Sequence, residues 1–248
     1  MPLVDRPSCV GRGPAAAVAL LVASAACAPG ARPAPPPKPA CGPGDSRPAP
    51  PPPPPTPLSR PAALPPAAGA VHYLDQLLDA QQGRVVRWGR DRGQPIRVWV
   101  PSAPGGPRTA GFVALVDSAM AAWNDVGLPA VFARAADSAQ ADVRVRWART
   151  DREAETVGRT SVRIDARTDH IRSATFVLTT HAASGYPHAP SAMLGFALHE
   201  LGHVLGIQHA GLPECVMFPI PQRTALCAAD AETARRWYAL PAGLVATH

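Results

Sequence analysis

Eleven residues near the C-terminal end, His199 to His209, leave this chain few ways to fold. They read H-E-x-x-H-x-x-G-x-x-H, and each fixed position has its own physical task. On a helix, His199 and His203 stand four residues apart on one face, so both imidazoles can reach one ion. Glu200 follows the first of them, placed to hold a metal-bound water and take its proton. Gly206 can take the left-handed conformation that ends a helix and turns the chain back. That turn brings His209 round as a third nitrogen ligand and leaves a fourth position open. Multiplying the chain's own residue frequencies gives about a 10⁻⁵ chance of one accidental match. An amphipathic core helix with satisfied histidines is the bland alternative, but core helices seldom carry three His and a Glu so close together.

Met217 lies eight positions after His209, in Glu214-Cys215-Val216-Met217-Phe218-Pro219. Motif and methionine together resemble the metzincin zinc proteases, in which a tight Met-turn sits beneath three histidines. Met-Phe-Pro is most similar to the Met-Tyr-Pro of matrixins, the matrix-metalloprotease type. The resemblance implies one catalytic Zn2+ held by His199, His203 and His209, with Glu200 as general base. It also implies that a peptide adds as a strand along a sheet edge at residues 158–164. Phe196, one helical turn before His199, would then wall the pocket for the residue after the scissile bond. The structural zinc and calcium loops of animal matrixins are not recognisable, and His170, His181 and His188 read as surface histidines.

The chain ahead of this domain is of a different kind. Arg6 and Arg12 precede an apolar run from Ala15 to Ala26, too short to span a bilayer and suited to a signal peptide. Residues 1–27 are therefore expected to be a leader ending at a lipobox-like Ala-Ser-Ala-Ala-Cys, with Cys27 lipidated; cleavage near Ala26 or Ala28, giving a secreted or periplasmic protein, is the alternative. Eighteen prolines fall in the next thirty-nine residues. Residues 28–69 accordingly read as a disordered, polyproline-rich linker, and 70–248 as the peptidase domain. Cys41, in Pro-Ala-Cys-Gly-Pro-Gly-Asp, shares Pro, Cys, Gly and Asp with the propeptide segment P-R-C-G-x-P-D that keeps matrixins latent. Ala40 replaces its arginine, so a plain linker cysteine is the first reading and a thiol switch the second.

Six of the 24 basic and two of the 18 acidic residues lie in 1–69, so the domain balances 18 bases against 16 acids. No basic cluster interleaved with aromatics appears, and nucleic acid is not an expected partner. The expected partners are a protein or peptide substrate and, through the lipid alone, a membrane; the domain is expected to be a monomer.

Patterning predicts a short helix at 71–78, strands at 84–88 and 96–100, and a helix over 110–126 with Phe112, Leu115, Val116, Ala119, Met120 and Trp123 at helical spacing. Strands at 131–134 and 142–147 follow, then a hairpin of 158–164 and 171–179. The site helix spans 191–205 with Ser191 as its cap, and a last helix spans 228–240. Alone, this gives α+β in one domain. The resemblance, over residues 84–240, sharpens it to a twisted mixed β-sheet packed on two helices, with a small C-terminal subdomain of Met-turn and final helix.

The expected activity is hydrolysis of peptide bonds in extended polypeptides by a zinc-bound water with Glu200 as base. A non-catalytic zinc-binding surface module on a proline-rich stalk would keep the histidines but has no use for Glu200. A site with Glu214 or Glu232 as third ligand would leave His209 unexplained, and a cell-wall tether with incidental proteolysis stays open. Cys215 and Cys227, in a chain bound for an oxidising compartment, are expected to form a disulfide beneath the site.

Overall fold

The computed structural model describes residues 69–89, 94–149 and 157–245. The leader, Cys27, Cys41 and all of the linker before residue 69 lie outside the described residues.

Five strands form a mixed sheet in the order β3-β2-β4-β6-β5. β2 (Ile96–Trp99) runs parallel to both β3 (Phe132–Arg134) and β4 (Val143–Ala148), and β4 is parallel to β6 (Ile171–Thr179). β5 (Gly158–Ile164) pairs antiparallel with β6 as a hairpin and forms one edge of the sheet. Alternation along the strands buries Val98, Val143, Val145, Phe176 and Leu178 on one face. Parallel neighbours need long crossovers, and the one from β2 to β3 contains α2 (Phe112–Asn124).

α2 forms because Phe112, Val116, Ala119, Met120 and Trp123 fall on one stripe, all of them buried. Its last residue fixes the next strand: the Asn124 side chain accepts from Phe132 N and donates to Phe132 O, at 2.7 and 2.9 Å. The site helix α3 (Pro190–Val204) packs on α2, where Trp123 Nε1 donates to the Leu198 carbonyl at 2.9 Å. α4 (Ala228–Ala239) lies in the C-terminal part and buries Ala234, Trp237 and Tyr238. This α+β architecture is the one expected for a matrixin catalytic domain.

Some local expectations need correction. α1 is a single helical stretch at Leu74–Ala80. The strand expected at 84–88 is only β1 (Arg84–Val85), which pairs with an unanticipated β7 (Gly243–Leu244). Beyond Val85 the pairing shrinks to a single parallel bridge, Arg87 with His170, where Ile171 N–H donates to Arg87 O at 2.9 Å. Side chains anchor the segment: Trp88 Nε1 donates to Val204 O, and Arg87 Nε to Leu240 O. α3 begins one residue before Ser191. Ala189 holds the extended N-cap position without a side-chain bond, and Pro190 supplies the first helical φ.

Candidate metal centre and cleft

α3 places His199, Glu200 and His203 on consecutive turns, and the chain then reverses. Gly206 has φ +93, its N–H bonds the His203 carbonyl, and Ile207 N–H reaches back to Gly202 O. This is a Schellman ending with glycine at the left-handed position. Another residue would also clash there, since a Cβ would stand 2.1 Å from Val86 O. The reversal delivers His209, and one ring nitrogen from each of the three histidines falls within 4.8 Å of the others.

Each helical imidazole is oriented through its other nitrogen. His199 Nδ1 lies 2.7 Å from Val216 O, and His203 Nδ1 lies 2.8 Å from Ile207 O. A carbonyl can only accept, so both Nδ1 atoms carry hydrogen and both Nε2 atoms present bare lone pairs. Those two Nε2 atoms are 3.1 Å apart. Burial opposes the proton that could relieve them: it pushes His199 down to about 4 and His203 down to about 3, and it lowers His209 as well. Facing lone pairs that stay unprotonated near neutral pH are satisfied by a shared cation. Three neutral imidazoles suit Zn2+, and the Nδ1 donors of His199 and His203 supply the outer support such sites have.

Glu200 is 3 % exposed. Burial pushes its carboxyl up to about 7, opposed by the Thr160 hydroxyl, which donates to Oε2 at 2.5 Å. Thr160 stands on β5, so the base of the cleft is tied to the sheet edge. The cleft encloses about 490 Å³. It is lined by residues 157–160 and Val162 of the edge-strand segment, by the three histidines and Glu200, and by Gln208 and Pro219–Pro221.

Met217 is fully buried against Gly202, where a Cβ would stand 2.3 Å from its sulfur. Its carbonyl accepts from Ala210 N at 2.8 Å, which pins the segment after His209 to the Met-turn. A disulfide joins Cys215 to Cys227. Cys227 is also the N-cap of α4, and Asp230 in the first turn of that helix is fully buried. Its carboxylate accepts from Val216 N at 2.9 Å, Cys227 N at 3.1 Å and the Tyr73 hydroxyl at 2.8 Å. Asp230, Cys227 and Cys215 thus hold the turn whose carbonyl orients His199.

Phe196 does not line the cleft; it is buried and stacks edge-on against His188, 5.1 Å between ring centres. Nor are the outlying histidines all at the surface. The loop between β6 and α3 folds back through a His181–Pro187 bridge, which buries His181 against the Thr180 hydroxyl. Thr160, Gly202, Asp230 and the Val216 carbonyl were missed by sequence reasoning. Only Thr160 carried a signal, as an inward residue of a strand expected at the cleft edge.

The family model for matrixin matches residues 107–239, just over half of the 248 residues. No curated protein matches the chain.

Proposed function

The chain belongs to the matrixin family of metallopeptidases, and we propose that it is a zinc-dependent endopeptidase acting on extended polypeptide segments. The observation that carries this reading is the pairing of three convergent neutral imidazoles with a buried carboxylate at the edge of a sheet. His199, His203 and His209 would hold the zinc. A bound zinc supplies Lewis acidity, lowering the pKa of a water from about 15.7 toward about 7 and polarising the scissile carbonyl.

The rest is the work of side chains and backbone. The free edge of β5 offers N–H and C=O groups to an extended peptide, so affinity comes from the main chain and the cleft selects side chains. Thr160 occupies Glu200 Oε2, which leaves Oε1 to receive the proton of the attacking water and deliver it to the departing amine. A carboxyl raised to about 7 by burial can do both near neutral pH. A non-catalytic zinc module gives no reason to bury a carboxylate at this point.

Residues 1–69 complete the reading: a leader, a lipidated Cys27 and a proline-rich stalk would present the domain outside the cytoplasm. The deciding experiment is digestion of an unfolded protein by the full chain with zinc, after chelation, and after zinc is restored. Cleavage that follows the metal supports the proposal; cleavage indifferent to the chelator removes it.

A further inference from the structure

The face of the sheet turned away from α3 carries charge that the overall balance conceals. On β5, Thr160 bonds Glu200 on α3 and Val162 lines the same side of the cleft, so alternation directs the side chains of Arg159, Ser161 and Arg163 to the other face, with Arg159 at the edge strand also bordering the cleft. Register extends the pattern inward from the edge. Arg159 pairs with Val177, which pairs with Arg146 on β4, while Ser161 pairs with Thr175, which pairs with Arg144. Arg146, Arg159 and Arg163 are exposed. Among the described residues no carboxylate lies within ion-pair distance of these three. Asp142 is bound to Arg97, and Asp165 to Arg172.

A peptide added to β5 must place alternate side chains on alternate faces. If one set enters the cleft, the other stands beside Arg159, Ser161 and Arg163, at the ordinary cross-strand spacing of about 5 Å. We infer that the substrates are acidic segments: a carboxylate beside the scissile bond, facing Arg159, and a second four residues away, facing Arg163. The level of the scissile bond is set by Glu200, which reaches β5 at Thr160, next to Arg159. Ser161 between the two arginines accepts a neutral side chain. This deepens the endopeptidase reading and rests on it. Arginine suits the task because its planar guanidinium meets a carboxylate through two parallel hydrogen bonds.

The test uses the zinc-loaded full chain and matched fluorogenic peptides. Each carries one Glu beside the scissile bond and a second four residues before or after it; its twin has Gln at both places. Exposed ion pairs are individually weak, so kcat/KM should favour the Glu peptide by about fivefold in one of the two placements, and less at high salt. The Glu-to-Gln ratio should fall to about one in Arg159→Gln/Arg163→Gln and persist in Arg159→Lys/Arg163→Lys. Arg159→Glu/Arg163→Glu should instead prefer a third peptide with Lys at both places over the Glu peptide, an outcome that an unfolded variant cannot imitate. Residues 150–156 include Asp151, Glu153 and Glu155. Should these neutralise the arginines, the wild-type ratio is one. Equal cleavage of both twins by the wild type, or a ratio unmoved by the Gln variant, overturns the inference and leaves the peptidase standing. Failure to cleave any twin removes the peptidase reading, and this inference with it.

Discussion

Thr160 on the edge strand and Glu200 on the site helix share a hydrogen bond of 2.5 Å, although forty residues separate them in the chain. One of the two carboxylate oxygens is thereby fixed, and in the proposed mechanism the other handles the proton. Thr160→Val keeps the shape and removes the donor. A hydrogen bond to a charged group contributes about 1.5–3 kcal/mol, so kcat should fall at least tenfold while KM changes little. Thr160→Ser should recover most of the loss. Steady-state kinetics on one peptide, with zinc content measured alongside, decides the matter; an unchanged kcat would show the bond to be incidental.

Removing the base separates chemistry from metal binding. In Glu200→Ala, zinc should stay stoichiometric and the fold intact, while proteolysis falls by about three orders of magnitude. His203→Ala should instead lose zinc, because it removes an imidazole braced by the Ile207 carbonyl. Metal analysis after dialysis and digestion of an unfolded protein supply both readouts. Wild-type digestion by the Glu200 variant would end the peptidase assignment.

Acid and base should both destabilise the zinc-free protein, through different groups. The folded pKa values of His199 and His203, about 4 and about 3, lie below the ordinary 6.5. The unfolded chain therefore binds these protons first, and stability present above pH 6.5 is lost as pH falls through about 4 and then about 3. Glu200 lies the other way, raised from 4.5 to about 7. Its contribution is complete below about pH 4.5 and is lost as pH rises through 7. Chelated Glu200→Gln should consequently melt above chelated wild type at pH 8, by up to about 3 kcal/mol, with the gap closing near pH 5. Thermal unfolding across that range checks the crossing; a gap that does not change with pH would contradict it.

The site was legible where the requirement is local. Two histidines and a glutamate on a helix, with a third histidine returned by a reversal, impose a spacing, and Gly206 is needed at that reversal. The hairpin of β5 and β6 and the stripe on α2 were legible because alternation and helical period mark them directly. What stayed hidden depends on contacts distant in sequence. Asp230 gains its meaning only when α4 brings it to Val216 and Tyr73. The β1–β7 pair joins segments about 160 residues apart, and two residues of strand leave no periodic trace. The packing of Phe196 on His188 was not legible because helical spacing shows only which residues share a face, and His188 comes from a loop whose return no local pattern announces.

The disulfide between Cys215 and Cys227 closes a short loop across the Met-turn. By the chain-entropy account, a loop of this size contributes about 3 kcal/mol. Cys215→Ser/Cys227→Ser should lower thermal stability by about that amount. It should also weaken zinc retention, because the same turn holds His199 through Val216. Calorimetry with and without zinc measures both effects. A stability loss with zinc affinity unchanged would confine the bridge to a structural role.

Gly202 is the position where the helix and the Met-turn come closest. It lies within the motif at a place that ligand spacing leaves unconstrained, yet a Cβ there would stand 2.3 Å from the Met217 sulfur and 3.1 Å from the Trp123 ring. Met217 is fully buried, so the sulfur has little room to withdraw. Overpacking of a tight core costs about 1–3 kcal/mol. Gly202→Ala should therefore destabilise the protein by that amount despite alanine's better helix propensity, which alone would favour it by about 1 kcal/mol. A shift of the Met-turn would also move the Val216 carbonyl away from His199 Nδ1. The double variant Gly202→Ala/Met217→Ala removes the obstructing sulfur, so the cost of the glycine change should be smaller in that background than in wild type. A double-mutant cycle by chemical denaturation measures the coupling, and strict additivity of the two changes would show that the contact does not set the packing.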